Sequence, residues 1–481
     1  MKKIRTCRGG LLVLALALTW VGLFTGCQTY KPPRERWVAG DYAGAAKEYG
    51  AKATNNQTGK DAVIWSVEYA TTLRANGQLK ESSAEFDTAE EAFNRYEEQG
   101  KTSISGVTSA LLVNQATVPY EGRDYDKVMV NVYKALNFIQ LGETDKARVE
   151  FFRAAQRQQD AEENNKRRIE KLEEAAEKLK ESKEKGADKG KEMADKAREH
   201  TNFTHQVQTN YGYLDEFKAK ANYVNPFAYY LDALFFLTAN SDRSDLERAR
   251  DSFRFTLGSI GENKFIKQDL EMLDQLLQGV EMPSMTYVIF ETGTAPLRSQ
   301  IRLDIPLFLV GVQDVPYVGA AFPTLKVQNG HLPSLNVSAG GTNETTILLT
   351  SMDNVVGQAF KDELPSIITK TLISTTVKAA ALYGAVKATK KQNIWVQIAV
   401  KATIAVLQAS VNIADTRTWN TLPKEIQFCR IPTPADRKIE LSGPNGTLKT
   451  ELTLGDGKIN LIYVKSVSAT NLLQVSQIKL K

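Results

Sequence analysis

The pattern of apolar residues changes at Pro283, and this change constrains the fold more than any other feature of the sequence. Before Pro283 the chain reads as a series of helical runs. After Pro283, short β-rich runs alternate with Gly, Pro and Asn. A chain of 481 residues is also too long for a single core. The sequence therefore predicts an α+β multidomain protein, with a helical region over 34–280 and a strand region over 283–481.

Small and aromatic residues of the helical region fall at the spacing of tetratricopeptide (TPR) helix pairs. Gly and Ala let helices approach closely, and aromatic rings fill the gaps between them. The spacing predicts a TPR-like α-helical repeat region, and a generic helical bundle is the alternative. The clearest pair covers 125–157, where two helical runs meet at Leu141–Gly142–Glu143. The four sets of residues are Gly40, Tyr42, Ala45 and Tyr49; Tyr69, Ala70, Leu73, Gly77, Phe86 and Ala89; Gly142, Ala147, Phe151 and Ala154; and Phe236, Ala249 and Phe253.

Residues 158–224 are rich in charges of both signs. Within them, Ile169, Leu172, Ala176 and Leu179 repeat at heptad spacing. We predict a charged helical hairpin that projects from the repeat region and buries little apolar surface. It is either a docking arm for a partner or a solvated helix pair with no partner.

The strand region is predicted to form an antiparallel β-sandwich of seven or eight strands. Asn329–Gly330 and Gly340–Gly341 are predicted turns, and Pro444–Asn445–Gly446 and Gly455–Asp456–Gly457 are hairpin signals. The predicted strands are Tyr287–Phe290, Ile301–Val310, Phe322–Val327, Ile426–Ile431, Lys438–Ser442, Leu448–Leu454, Lys458–Val464 and Leu472–Ile478.

A helical insertion, roughly 353–414, separates the two groups of strands. It is rich in Ala, Thr, Val and Ile, and small residues would let a partner helix come close. Lys401 lies inside its second apolar run, and a charge at the centre of a bilayer costs ~2.5–3.5 kcal/mol. We therefore predict a helical hairpin packed on the sheet, with a bilayer-contacting hairpin as the alternative.

The first 26 residues have the order of a lipoprotein signal peptide. A basic stretch precedes the apolar run Leu11–Leu23, which is too short to span a bilayer comfortably. Leu23–Gly26 then leads into Cys27 in an order that resembles a bacterial lipobox. We predict that Cys27 receives a lipid anchor and that 27–33 forms a short tether to the membrane. Gln28 follows the cysteine, which by resemblance to the sorting rule of enteric lipoproteins favours the outer membrane.

Composition disfavours several other kinds of partner and site. Residues 1–26 hold four basic residues and no acid, so their removal lowers the formal charge from +5 to +1. A net charge this small gives no strong positive potential that would attract nucleic acid. With Cys27 modified, Cys429 is the one cysteine left outside the leader, so no internal disulfide is expected. The chain holds three histidines, and we expect no metal site and no cofactor.

Two clusters of polar and aromatic residues are candidate sites. The first opens a helix and could line a partner-binding groove, although capping by Asp124 explains part of it. Its residues are Tyr120, Tyr125, Asp126, Lys127 and Tyr133. The second cluster could bind a carboxylate or sugar, or could fix the end of a helix. Its residues are Asp415, Arg417 and Trp419.

The same two stretches carry a family resemblance. Pro119–Met129, continuing through Tyr133–Leu136, and Ala414–Pro423 together resemble an uncharacterised family of TPR-like lipoproteins of Gram-negative bacteria. The resemblance covers most of residues 27–440. It implies the architecture and the location, and it implies no biochemical activity.

These observations favour a non-enzymatic lipoprotein that is anchored in the outer membrane and faces the periplasm. Its repeat region would hold a protein or peptide partner in envelope assembly or secretion. The first alternative is an envelope enzyme or an activator of a peptidoglycan hydrolase, which would need convergent carboxylates with perturbed pKa values. The second is a membrane-contacting, lipid-handling module built on residues 353–414.

The substitution Cys27→Ser tests the anchor. A thiol can carry the thioether-linked lipid and a hydroxyl cannot, so we expect labelled-lipid incorporation to be lost and the protein to become soluble. Incorporation is followed by labelling in cells. Continued labelling of the variant would contradict an anchor at Cys27.

Overall fold

The computed structural model describes residues 31–102, 116, 118–181, 195–196, 198–217, 225–239, 241–306, 317–389 and 413–481. The predicted signal peptide, Cys27 and the second half of the predicted insertion lie outside these ranges. The described chain is α+β, with helices before Leu277 and mixed sheets after Met285.

Helices form the first part of the chain and pack mainly as consecutive pairs. They are α1 (Lys31–Val38), α2 (Tyr42–Asn55), α3 (Ala62–Ala75), α4 (Leu79–Thr102), α5 (Asp124–Gln140), α6 (Thr144–Glu181), α7 (Thr201–Tyr211), α8 (Pro226–Ala239), α9 (Arg243–Ile260) and α10 (Lys264–Leu277). A single 3₁₀ turn, Gly212–Glu216, follows α7.

Glycine ends the first helix of three of these pairs. Gly40, Gly77 and Gly142 have φ values of 80°, 78° and 76°, a left-handed conformation that a residue with a Cβ adopts only at a cost. Of the predicted positions on the second helices, Ala147 and Phe151 on α6 are buried, whereas Tyr42 on α2 is half-buried. Helices therefore lie on both sides of each of these glycines, including the predicted junction at Leu141–Gly142–Glu143.

The predicted tether is partly helical. Lys31–Pro32–Pro33 forms the first turn of α1, where proline is tolerated because the first N–H groups of a helix have no intrahelical acceptor. Trp37 in the last turn is 1% exposed. The last three residues of the predicted 27–33 tether therefore belong to α1.

Eleven described strands form three sheets. They are β1 (Met285–Thr292), β2 (Leu297–Pro306), β3 (Tyr317–Lys326), β4 (Asn336–Ala339), β5 (Thr342–Thr345), β6 (Ile347–Ser351), β7 (Glu425–Pro432), β8 (Lys438–Ser442), β9 (Thr450–Thr453), β10 (Ile459–Ser466) and β11 (Gln474–Lys479). The sheet orders are β11-β10-β1-β7-β6, β2-β3 and β5-β4-β8-β9.

The largest sheet is mixed, so the expectation of purely antiparallel strands is wrong. β1 pairs with β10 in parallel, with Met285 opposite Ile459, and pairs with β7 in the antiparallel sense. Every residue of β1 and β10 is buried. This burial on both faces explains why these strands read as continuous apolar runs without alternation.

One predicted hairpin is present and the other is not. Pro444–Asn445–Gly446 connects the antiparallel strands β8 and β9, with positive φ at Asn445 and Gly446. Gly455–Asp456–Gly457 instead leads from β9 into β10, which belongs to a different sheet.

The described part of the predicted insertion is one long helix, α11 (Met352–Thr389). It packs on β3, and Phe360 on its inner face is fully buried. Among the described residues, no helix combines the length and the apolar character that crossing a membrane requires.

The predicted charged hairpin differs from what the structure shows. Its first arm is the continuation of α6, which runs without a break from Thr144 to Glu181. In the second arm, α7 lies against the strand region: the Tyr211 hydroxyl donates to the Pro323 carbonyl at 2.7 Å, and the Phe203 ring lies 6.1 Å from that of Phe322. The expectation of a projecting arm with little buried apolar surface is therefore wrong for α7.

One hydrophobic core connects the helical region with the strand region. Trp37 and Tyr133 of the helices belong to the same buried cluster as Ile289 of β1 and Val464 of β10. A buried polar contact crosses the same boundary, because the Tyr133 hydroxyl donates to Glu291 Oε1 at 2.8 Å. The secondary structure changes near Pro283, but the hydrophobic core is continuous across this boundary.

The substitution Phe203→Ala tests whether α7 is part of this core. The Phe203 side chain is 1% exposed, so its loss leaves a cavity, and we expect the free energy of unfolding to fall by about 3–5 kcal/mol. Phe255→Ala is the matched control, because Phe255 is 43% exposed and its loss should cost about 1 kcal/mol or less. Denaturant unfolding measures both, and equally small losses would contradict the assignment.

Candidate functional site

Ala414–Pro423, here called the docked segment, lies on the helical region although it belongs to the strand region in sequence. It has no helix or strand of its own and leads directly towards β7. Its side chains and main chain contact α3, α4, α5 and the residues just before α3 and α5. The predicted cluster of Asp415, Arg417 and Trp419 is part of this segment.

Arg417 makes the first group of contacts. Its guanidinium bonds Asp415 through two nitrogens, at 2.8 and 2.9 Å, and bonds Asp61 just before α3 at 2.9 Å. Burial acts to raise the pKa of Asp415, but the hydrogen bonds and charge of Arg417 outweigh it and hold that pKa below its usual value. Arg417 and Asp415 therefore form a pair, and through Asp61 this pair links the docked segment to the N-terminus of α3.

Trp419 makes the second group of contacts. Its ring lies 6.1 Å from Phe86 of α4 and 6.0 Å from Tyr133 of α5, measured between centroids. The indole N–H donates to Thr71 Oγ1 at 3.1 Å and to Thr421 Oγ1 at 2.8 Å. A large ring that is 1% exposed and keeps its N–H bonded is a strong anchor for the segment.

Glu68 of α3 makes the third group of contacts. One carboxylate oxygen accepts the Asn420 main-chain N–H at 2.5 Å and the Asn420 side-chain N–H at 2.8 Å, and the other accepts the Thr421 main-chain N–H at 3.1 Å. Burial raises the pKa of Glu68 to about 7, although the hydrogen bonds from Asn420 and Thr421 favour the carboxylate. Glu68 therefore accepts hydrogen bonds from two consecutive main-chain N–H groups. These two bonds do not depend on which side chains the residues carry.

Arg123 adds a contact to a main-chain carbonyl. Its guanidinium donates to the Arg417 carbonyl at 3.3 Å and to the Tyr120 hydroxyl at 2.6 Å, and it lies 3.6 Å from a carboxylate oxygen of Glu363 on α11. The Tyr120 ring in turn lies under the Arg417 guanidinium, 5.5 Å away. Arg123 thus joins the docked segment to α11.

The start of α5 is capped differently from the prediction. Asp126, not Asp124, accepts the Arg123 main-chain N–H at 2.9 Å, and it also accepts the Tyr120 hydroxyl at 2.6 Å. Burial raises the pKa of Asp126. A carboxylate in the first turn is favoured by the helix dipole, so Asp126 has a structural reason to be where it is.

The predicted partner-binding residues do not line an exposed groove. Tyr120, Tyr125, Asp126 and Tyr133 are each at most 6% exposed, and Lys127 pairs with Glu97 of α4. Their polar groups make contacts inside the molecule, so the expectation of an exposed groove lined by these residues is wrong for the four buried ones.

Sequence reasoning missed the residues that hold the docked segment: Asp61, Glu68, Thr71, Phe86 and Arg123. Glu68 did give a signal. It is the one charged residue between Ala62 and Leu73, in a helix that is apolar on nearly all sides. A carboxylate placed there must be buried, and a buried carboxylate needs hydrogen-bond donors from another element.

The chain matches no protein-family model, no curated protein and no solved structure. In the described part of the chain, no group of three or more His, Cys, Asp or Glu side chains is arranged to hold a metal ion. The site is therefore interpreted from its own geometry, which is that of a helical surface binding a polypeptide segment.

The variant Glu68→Gln tests the buried carboxylate through pH. With a pKa of about 7 against an ordinary value of 4.5, folded Glu68 keeps a proton that the unfolded chain releases between these values. The Glu68 contribution to stability is therefore complete below about pH 4.5 and is lost as pH rises through about 7. We expect wild type to lose stability relative to Glu68→Gln across this window in denaturant unfolding. A difference that is constant with pH, or that grows in favour of wild type, would contradict the assignment.

Proposed function

We propose that this chain is a lipid-anchored scaffold of the outer membrane, on the periplasmic side, whose TPR-like helical region binds a protein or peptide partner. One observation carries the proposal: the helix pairs already hold a non-helical polypeptide segment, Ala414–Pro423, through an aromatic pocket and main-chain hydrogen bonds. A surface that binds one such segment has the chemistry to bind another.

The packing of the helices supports the TPR-like description. α1 packs with α2, α3 with α4, α5 with α6 and α8 with α9, and α2 also contacts α3 in the next pair. Turn glycines and buried Ala and aromatic positions recur from pair to pair, as expected of repeats that bury a continuous core by stacking.

Two further features complete the proposal. In the strand region, Val337 of β4 and Leu441 of β8 point into the same core as Ile289 of β1, which supports a sandwich-like arrangement of the sheets. At the other end, the basic–apolar order before Cys27 supports the anchor. Since α1 begins four residues after Cys27, an anchored chain would keep the helix pairs close to the membrane surface.

Site-specific crosslinking in intact cells tests the proposal. A photo-reactive residue at Glu121 would lie on the surface between Tyr120 and Arg123, both of which contact the docked segment, and its side chain is exposed. The matched control is Asp456, whose side chain is 94% exposed and which lies in the connection before β10. We expect a discrete protein adduct from position 121 and none from position 456. The same adducts from both positions, or none from position 121, would contradict a partner at this surface.

A further inference from the structure

The docked segment is held by contacts that would suit a separate peptide. Glu68 accepts two consecutive main-chain N–H groups, and Arg123 donates to a main-chain carbonyl three residues earlier in the segment. These three contacts are independent of side-chain identity. Peptide-recognition sites commonly obtain affinity from main-chain hydrogen bonds and specificity from a pocket for one side chain.

The pocket for that side chain is formed by residues of three helices, α3, α4 and α5. Phe86 and Tyr133 surround the Trp419 ring, and Thr71 accepts its N–H. Trp is among the residues that most often dominate binding energy at interfaces, especially in a desolvated pocket. The ring and the two amides that follow it therefore form the core of the recognised element.

We propose that the docked segment is an intramolecular occupant of the partner site, and that the partner is a polypeptide segment of the same chemistry that replaces it. The proposal rests on the proposed function and names the ligand class: a bulky aromatic residue followed by two residues with free main-chain N–H groups. Proline is excluded at both of these positions because it has no N–H to donate to Glu68.

Covalent attachment of the docked segment determines how strongly it competes with a free peptide. An occupant attached to its own site competes at an effective concentration that reaches the millimolar range for short linkers. A free peptide of equal intrinsic affinity therefore binds the intact chain weakly. Weakening the resident segment should expose the site to a peptide supplied from outside.

The experiment uses the full chain carrying Trp419→Ala and a fluorescent peptide with the sequence of Ala414–Pro423. We expect the variant to bind the peptide at least about thirtyfold more tightly than wild type does, the factor that corresponds to ~2 kcal/mol for a buried anchor. Fluorescence anisotropy measures binding, and the same peptide with Thr421→Pro is the matched control that should not bind. Equal binding of both peptides, or no binding to a folded Trp419→Ala chain, would overturn the proposal.

A second measurement covers the case in which Trp419→Ala does not fold. Hydrogen exchange of the wild-type chain compares the fragment 414–423 with fragments of β1 and β10. We expect the docked segment to exchange by local opening, at least about a hundredfold faster than those central strands. Exchange of all three at the rate of global unfolding would show that the segment is permanent core and would overturn the proposal.

The two tests separate failure of this inference from failure of the proposed function. A crosslinked adduct at Glu121 in cells, combined with no peptide exchange in the purified chain, would support the proposed scaffold function. It would contradict the proposal that a partner replaces the docked segment. Peptide exchange in the purified chain without an adduct in cells would support the proposed peptide-binding site. It would contradict the proposal that a partner occupies this surface in the cell envelope.

Discussion

The fold depends on a buried carboxylate that the helical region cannot satisfy by itself. Glu68 lies in the middle of an apolar helix and obtains its donors from Asn420 and Thr421. Removing those donors would leave a buried acceptor without a partner, at a cost of about 1–3 kcal/mol and more for a charged group. A carboxylate of the helical region therefore depends on hydrogen-bond donors from the strand region. For this reason the two kinds of secondary structure are parts of one folded unit.

Other buried charges work in the same way. On α5, Lys134 is 1% exposed and lies 2.7, 2.5 and 3.0 Å from Asp87 and Glu90 of α4 and Glu150 of α6. Between helix and sheet, Arg430 of β7 pairs with Asp269 of α10. A buried ion pair adds little net stability, but losing one partner costs several kcal/mol. These groups therefore penalise alternative arrangements of the elements more than they stabilise the correct one.

Local features of the sequence predicted the elements but not how distant elements meet. The helix pairs follow from Gly142 and from small and aromatic residues at helical spacing, which are local signals. The short strands β4 and β5, which are rich in Asn, Thr and Ser, were missed because they lack a strong apolar signal. β6 was also missed, and β4 and β6 are placed by pairing with the distant strands β8 and β7. Register between β1 and β10 is likewise set by tertiary packing that no local window contains.

The candidate site shows a related limit. Polar side chains at Tyr120 and Asp126 suggested exposure, because isolated polar residues usually face water. In the structure they satisfy one another and Arg123 inside the protein. Arg417 and Asp415, two positions apart in the sequence, pair with each other. The second carboxylate partner of Arg417, Asp61, lies 356 positions away in the chain, and no spacing rule reaches that far.

The parallel pairing of β1 with β10 governs the order in which this chain can fold. Glu291 of β1 and its partner Lys465 of β10 are 174 positions apart, so the central strand waits for residues near the end of the sequence. Until then, β1 presents eight residues that are all buried in the finished fold. Pairings between distant strands form slowly, because loop closure must precede the contacts that compensate for it. During synthesis, an apolar strand without a neighbour is prone to aggregation, so β1 needs protection until its partner strands are available.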